Sequence, residues 1–265
     1  MSKIENTIWW ITGASSGIGK SLAVYILKRG GKVILSSRNE NKLYEIAKKT
    51  GVSENNYLVL PLDLENIENS KELVNTVINK FSRIDYLINN GGISQRSIVS
   101  ETPIEIDRKV MEINFFGTVA LTKAVLPIMI KQQSGHIAVV SSVVGKFGFP
   151  LRSAYSASKH ALHGFFESLR AENINNNIKV SVVIPGRINT LISNNSITKD
   201  GSKHGKLDEG QANSMSPEKA APIIINGILK EKKEVLVGGK ELLMVHFRRW
   251  IPSLFYYLSN KVSAK

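Results

Sequence analysis

The sequence of 265 residues predicts an α/β fold, a doubly wound parallel sheet of seven strands with helices on both faces. Three observations carry that expectation. Short apolar, β-branched runs alternate with apolar-periodic helical segments along the chain. A glycine turn at Gly13, Gly17 and Gly19 joins the first run to the first helix, as a ligand-binding crevice of such a sheet requires. Ser142, Tyr155 and Lys159 fall at the end of the fifth run and on the helix after it, where their side chains can converge.

The first run, TIWWIT from Thr7 to Thr12, flows directly into GASSGIGKSLAVYILKRG. This reads as strand, glycine turn, helix. Glycines at this spacing let backbone approach a pyrophosphate at the helix N-terminus, and they equally serve a tight turn with close helix–strand packing. The second strand, KVILSS, leads to Arg38. An acid near this point would accept from a ribose 2′-hydroxyl, whereas an arginine accommodates a 2′-phosphate. A surface arginine opening the next helix is the other reading. After the helix NENKLYEIAKKTG comes a third strand, NYLVLPLDL, with Asp63 placed either against an adenine edge or as a cap on the helix KELVNTVINKFS.

The fourth strand, IDYLINN, ends in Asn89-Asn90-Gly91-Gly92, a second place where backbone can lie against a ligand or simply turn. A long helix from about Pro103 through VMEINFFGTVALTKAVLPIMIKQ buries Asn114 in an apolar face. A buried amide needs partners, either backbone at a helix irregularity or a water in a proton relay. HIAVVSS is the fifth strand and carries Ser142. The helix AYSASKHALHGFFESLRAE carries Tyr155 and Lys159, four apart on one face. IKVSVVIPG, the sixth strand, breaks at Pro185-Gly186 where a cofactor ring could sit, with Thr190 just beyond. Residues 191–216, rich in Asn, Ser, Lys and Gly, read as a substrate lid with a short helix or as a surface loop. The helix PEKAAPIIINGILKE and the strand KEVLVGG complete the sheet.

The serine, phenol and ammonium can share one proton. A phenol titrates near ~10, so proton exchange near neutrality asks for about 4 kcal/mol of depression. An ammonium about 4 Å away, at an effective dielectric of ~20, supplies roughly that much. Lys159 is therefore the expected neighbour of Tyr155.

A hydrophobic content of 42% with 22% charged residues is that of a globular protein, which excludes a disordered chain. Absence of cysteine excludes a disulfide framework and thiolate metal ligands, and no metal is expected. The start MSKIENTIWWITG enters a strand at once, so no secretory signal is expected and a cytoplasmic location is, with a membrane-peripheral one as the second reading. A net charge of +13 is spread along the chain without an aromatic-interleaved basic stripe, which argues against nucleic acid as a partner. In the tail from Leu242 to Leu258, twelve of seventeen residues are apolar or aromatic, and Arg248, Arg249 and Pro252 rule out a spanning helix there. Two short helices hinged at Pro252 would close the cleft and pack on a partner, or dip into an anionic membrane surface.

The ordered set TGASSGIG, NNGG, Asn114, Ser142, YSASK and PGRINT resembles the short-chain dehydrogenase/reductase family over roughly residues 7 to 190. The resemblance implies a single Rossmann domain with strand order 3-2-1-4-5-6-7. It implies Tyr155 as general acid/base, Ser142 as carbonyl-orienting donor, Lys159 as ribose ligand and pKa tuner, and Asn114 as holder of a water. Around the cofactor it implies Gly13, Ser16, Ile18 and Gly19 at the pyrophosphate, with Ser15 and Gly17 in the same turn. Asp63 and Leu64 would lie near adenine, Asn90 near the ribose, and Thr190 beside the carboxamide, past Pro185 and Gly186. Ser16 stands where members preferring NADP often carry a second basic residue. NNGGISQRS, LTKAVLPIMI and YSASKHALHGFFESLR are similar to the dehydrogenase/reductase family member 7 group, related to the 11β-hydroxysteroid dehydrogenases. That similarity implies a steroid, a retinoid or another hydrophobic carbonyl compound as substrate.

The expectation is thus an oxidoreductase, preferring NADP(H) with NAD(H) as the alternative, that interconverts a carbonyl and an alcohol. One domain over residues 1–265 is expected, with the lid at 191–216, a helical tail at 240–265, and a homodimer or homotetramer paired through the apolar Tyr155 helix. A non-catalytic dinucleotide sensor or scaffold on the same fold is the alternative.

Overall fold

The computed structural model describes residues 4–206 and 213–259. Its sheet has seven strands in the order β3-β2-β1-β4-β5-β6-β7. They are β1 (Ile8–Thr12), β2 (Lys32–Ser36), β3 (Tyr57–Val59), β4 (Tyr86–Asn89), β5 (Gly135–Val140), β6 (Ile178–Pro185) and β7 (Glu234–Val237), and every neighbouring pair is parallel. Parallel strands covered on both faces need apolar residues facing both ways, and every residue of β1 and β5 is buried.

Alternation along β1 assigns its two tryptophans to opposite faces. Trp9 joins Ile11, Val33, Leu35 and Ile88 under α1 (Gly17–Leu27), α2 (Glu40–Lys48) and α7 (Pro217–Leu229). Trp10 joins Ile34, Leu87, Ile137 and Val182 under α3 (Ser70–Phe81), α5 (Gly117–Gln132) and α6 (Ser153–Glu172). Both indole N–H groups are satisfied, Trp9 donating to Thr7 Oγ1 at 2.8 Å and Trp10 to Ser36 Oγ at 2.9 Å.

Two elements differ from expectation. The third strand stops at Val59 rather than running through Leu64, because Pro61 has no N–H to give the ladder, although Leu60 and Leu62 still donate to the carbonyls of Leu35 and Ser37. The long helix is α4 (Ile104–Met111), a π-turn (Glu112–Phe116) and α5 in succession, and the π-turn contains Asn114. The run Ile104–Gln132 is long and apolar enough to cross a membrane, yet Leu121, Val125 and Met129 are buried in the core beneath the sheet. Beyond β7 the chain forms α8 (Leu243–Trp250) and α9 (Pro252–Ser259), broken at Ile251-Pro252.

Strand order reverses between β1 and β4, so the segments leaving their C-terminal ends diverge and open a crevice there. Thr12 ties the two segments together: its Oγ1 accepts from the backbone N–H of Asn90 at 3.0 Å and of Gly91 at 2.9 Å. Asn90 Nδ2 donates back to Thr12 O at 3.0 Å.

Buried His136, at the start of β5, is bonded to Ser181 Oγ at 2.8 Å. Burial, aided by Lys179 and Arg170, lowers its pKa to about 4. The unfolded imidazole binds a proton below about 6.5 that the folded one refuses, so this contribution to stability is full above pH 6.5 and lost as pH falls towards 4. The melting midpoint should drop over that window, by an amount corresponding to roughly 3 kcal/mol at most from this residue. His136→Gln should flatten the decline, and identical pH profiles for the two proteins would refute the assignment.

Candidate active site

A cleft of about 950 Å³ opens at the C-terminal ends of the strands. Its lining includes Gly13, Ser15, Ser16, Gly17 and Ile18 of the glycine turn, Arg38 after β2, Asp63 and Leu64 after β3, and Asn90 after β4. Ser142, Tyr155, Lys159, Pro185, Gly186 and Thr190 line it as well. Gly19 and Asn114 lie behind the wall.

The turn is shaped for close approach. Gly13 has φ +65, and a Cβ there would sit 2.9 Å from Asn90 Nδ2 and from Gly91 Cα. A Cβ on Gly19 would meet Gly13 O at 2.4 Å, so Gly19 packs the helix against the turn. The cradle so formed, at the N-terminus of α1, suits a pyrophosphate. At its far end Arg38 is accompanied by Lys42, and no acidic side chain from the end of β2 reaches the lining. Asp63 Oδ1 accepts from the Glu65 N–H at 3.1 Å, a local turn bond.

The other half of the cleft holds the phenol and ammonium. Ser142 Oγ accepts from the Val144 N–H at 3.4 Å and faces the Tyr155 hydroxyl across the cleft, where both residues line the wall. Lys159 Nζ donates to Val140 O at 2.8 Å and lies 5.7 Å from the centre of the Tyr155 ring. Burial raises the Tyr155 pKa above its ordinary value, with the Arg152 guanidinium and the Ser142 hydroxyl pulling it down. Burial also lowers the pKa of Lys159 to about 8, so it remains an ammonium at neutral pH. The sequence assigns the depression of Tyr155 to Lys159. In the structure that ammonium is turned to a backbone carbonyl, and the cation acting on the phenol is Arg152.

Asn114 is fully buried in the π-turn. Its Oδ1 accepts from Ile93 N at 2.8 Å, and its Nδ2 donates to Ile93 O at 2.9 Å and Ser158 Oγ at 3.0 Å. Ser158 in turn donates to Tyr155 O at 2.8 Å. The amide thus bonds backbone at a helix irregularity and ties the β4 loop to the helix carrying Tyr155. A Cβ on Gly92 would lie 2.8 Å from Asn114 Oδ1 and 3.6 Å from Lys159 Nζ, which puts both groups around one glycine.

Sequence reading missed Thr12, Lys42, Arg152 and Glu241. Thr12 sits directly before the glycine turn, which is a usable signal; the others reach the cleft only through tertiary packing. Glu241 Oε1 accepts from the backbone N–H of Arg187 at 2.7 Å and of Gly239 at 2.9 Å, joining the β6 loop to the tail. Apolar lining comes from Ile93, Val144, Phe147, Phe149, Met244 and Phe255, while Arg96, Arg152 and Lys203 add positive charge. Phe255 of α9 packs on Phe147 with ring centres 5.2 Å apart. Within residues 191–206, Ile197 bonds across to the β4 loop through Arg96 N at 2.8 Å and Ser94 O at 2.9 Å. The short helix expected in this segment is not seen at 191–206, and residues 207–212 lie outside the described ones.

Of the apolar residues of α6 expected to need a partner, Leu162, Phe166 and Leu169 are buried in the chain's own core. Phe165 is half-buried edge-on to Phe115, while neighbouring Phe116 is 52% exposed.

Residues 7–201 match the sequence profile of the short chain dehydrogenase family. The chain is 45% identical to a dehydrogenase/reductase SDR family protein 7-like of Drosophila melanogaster, over all of this chain and 82% of that protein. It is 41% identical to dehydrogenase/reductase SDR family member 7B of Mus musculus, over 96% of this chain and 80% of that protein. It is 35% identical to family member 7 of Homo sapiens, over 99% and 79% respectively. A short-chain dehydrogenase from Streptomyces avermitilis superposes with a TM-score of 0.81 at 26% identity, covering 97% of this chain and 96% of that one. A short chain dehydrogenase/reductase from Burkholderia phymatum in complex with NAD superposes with a TM-score of 0.83 at 20% identity, covering 96% of each chain. The crevice at the strand-order reversal, its glycine cradle and these likenesses agree: the chain belongs to the short-chain dehydrogenase/reductase family and is an NAD(P)-dependent oxidoreductase.

Proposed function

We propose that the protein interconverts a hydrophobic carbonyl compound and its alcohol with NADP(H), using Tyr155, Ser142, Lys159 and Asn114. The observation that carries this reading is the meeting of Ser142, Tyr155 and Lys159 in one apolar-walled cleft that also contains the glycine cradle. When bound, the nicotinamide supplies or accepts a hydride. In the reduction direction the Tyr155 hydroxyl gives its proton to the carbonyl oxygen, and the Ser142 hydroxyl donates to the same oxygen and orients it. Lys159 holds the nicotinamide ribose and compensates charge on the phenolate. Asn114 has no side-chain donor left, so its side chain fixes the Ile93 loop and the Tyr155 helix while its π-turn backbone holds the relay water.

Gly13, Ser15, Ser16, Gly17 and Ile18 cradle the pyrophosphate, with Gly19 holding the turn in place. Asp63 and Leu64 flank adenine, Asn90 the ribose, and Pro185, Gly186 and Thr190 the nicotinamide. Arg38 and Lys42 take the 2′-phosphate. Residues 191–216 serve as the substrate lid, anchored through Ile197. The positive wall of Arg96, Arg152 and Lys203 favours an apolar substrate that also carries an anionic group. A panel of such carbonyls assayed for NADPH oxidation, beside uncharged steroid and retinoid carbonyls, tests the reading. Failure of every carbonyl and alcohol with both cofactors would favour a dinucleotide sensor.

Pairing of two copies through α5 and α6, around exposed Phe116, is part of the same reading, and sedimentation at micromolar concentration should show a dimer or tetramer rather than a monomer. The tail gives it a membrane-facing aspect. Trp250 is 72% exposed, with Leu243, Ile251, Tyr256 and Tyr257 also exposed, beside Arg248 and Arg249. Weak, salt-sensitive binding to anionic vesicles is expected, with little binding to neutral ones, and removing residues from Phe247 onward should reduce it. Protein left entirely in the supernatant at low salt would assign the tail to packing alone.

A further inference from the structure

We propose that His163, Glu167 and Glu234 form a binding site for one divalent transition-metal ion of the zinc class, outside the cofactor cleft. A ring nitrogen of His163 and one carboxylate oxygen each from Glu167 and Glu234 lie within 4.8 Å of one another. His163 and Glu167 are four apart on α6 and so share a face, and Glu234 is the first residue of β7. None of the three lines the cleft.

The state of the imidazole points to a ligand. Ser141 Oγ lies 3.2 Å from Lys159 O, to which it can donate, and 2.9 Å from His163 Nε2, from which it can accept. With the Ser141 hydrogen on Lys159 O, Nε2 donates to Ser141 and Nδ1 presents a lone pair, which is the tautomer that a metal at Nδ1 requires. His163 is only 8% exposed, and Nδ1 is buried with no hydrogen-bond partner. A ring nitrogen left unmet inside a protein is destabilising, and two carboxylates lie near this ring, so a cation joining the three groups would relieve both. One ring nitrogen donating to a fixed oxygen while the other is free is how metal-binding histidines are held.

Charge and geometry fit. Lys146 Nζ occupies Glu234 Oε1 at 2.5 Å and leaves the second carboxylate oxygen for the metal. Among the described residues Glu167 makes no hydrogen bond or ion pair, and both glutamates are exposed, so the Glu167 carboxylate can swing and that of Glu234 can turn about its Lys146 contact. Bonds of about 2.0–2.1 Å in tetrahedral geometry require ligand atoms roughly 3.3 Å apart, at most about 1.5 Å closer than the 4.8 Å within which these atoms lie. Rotation of two exposed carboxylates closes that gap. Three protein ligands and a water complete the shell, and the mixed nitrogen and oxygen set selects zinc or cobalt over magnesium.

The test uses the full-length chain after treatment with chelator, titrated with zinc chloride alone by calorimetry and with cobalt chloride by visible absorption. One zinc per chain is expected, with visible cobalt bands, a melting midpoint raised by roughly 5–8 °C at a hundredfold excess over Kd, and no such shift with magnesium. Glu167→Gln and Glu234→Gln, both at exposed positions, should each weaken zinc at least about tenfold while melting like the wild type without metal. His163 is left in place, since its burial would confound loss of metal with loss of fold. No zinc binding by the wild type, equal binding by both variants, or an equal shift with magnesium would each overturn the site.

Discussion

Tyr155→Phe is expected to lower kcat by about 10²–10⁴, because the phenol is the proposed proton donor and acid–base groups contribute on that scale. The substitution removes one oxygen from a ring that is 6% exposed, and with it the influence that the Ser142 hydroxyl exerts on the phenol. Ring packing beside Val144 and Phe147 stays, as does the Ser158 bond to the residue's carbonyl. The Kd for NADPH should therefore change by less than about threefold, and the loss should appear in kcat rather than in cofactor affinity. Single-turnover kinetics with the best substrate of the panel, beside a fluorescence titration of NADPH, separates the two. Near-wild-type turnover would remove Tyr155 from the mechanism; parallel loss of cofactor affinity would mean that the hydroxyl acts in binding.

Arg38→Ala should weaken NADPH binding by about ten- to hundredfold and leave NADH nearly unchanged. The reason is local: the end of β2 supplies no carboxylate to the cleft, and Arg38 and Lys42 are the cations that line this corner. A charge-assisted hydrogen bond to a phosphate is worth roughly 1.5–3 kcal/mol, which is that factor in affinity. Lys42→Ala should have a smaller effect of the same sign, since an ammonium gives a point charge where the guanidinium gives a planar fork. Equal affinities for NADPH and NADH in the wild type would refute the preference, whatever the variants do. Lys42 also bears on the missing basic residue at Ser16, because the second cation comes from the first turn of α2.

Much of this was legible in the residues because local rules govern it. Period-two and period-3.6 apolar patterns gave the strands and helices, since each strand of a parallel sheet buries both faces and each helix one. The glycine turn was readable because a backbone at φ +65 packed against Asn90 and Gly91 tolerates no side chain. Tyr155 and Lys159 share a face by helix geometry alone, and Ser142 falls at a strand end by counting. What the residues could not show was set by atoms distant in the chain. Which cation acts on Tyr155 depends on Lys159 turning to Val140 O, and that depends on how β5 meets α6. Asn114 spends its amide on Ile93 and Ser158 because the π-turn aims it there, and no spacing rule marks that turn. The apolar surplus of α6 shrank to half-buried Phe165 once Leu162, Phe166 and Leu169 met the core. Periodicity determined the fold class, because it acts through neighbours in sequence, and the ordered motifs carried the resemblance that pointed to the chemistry; the protonation states and the owner of each hydrogen bond were decided only by tertiary packing, because desolvation and short-range contacts depend on what lies across the cleft.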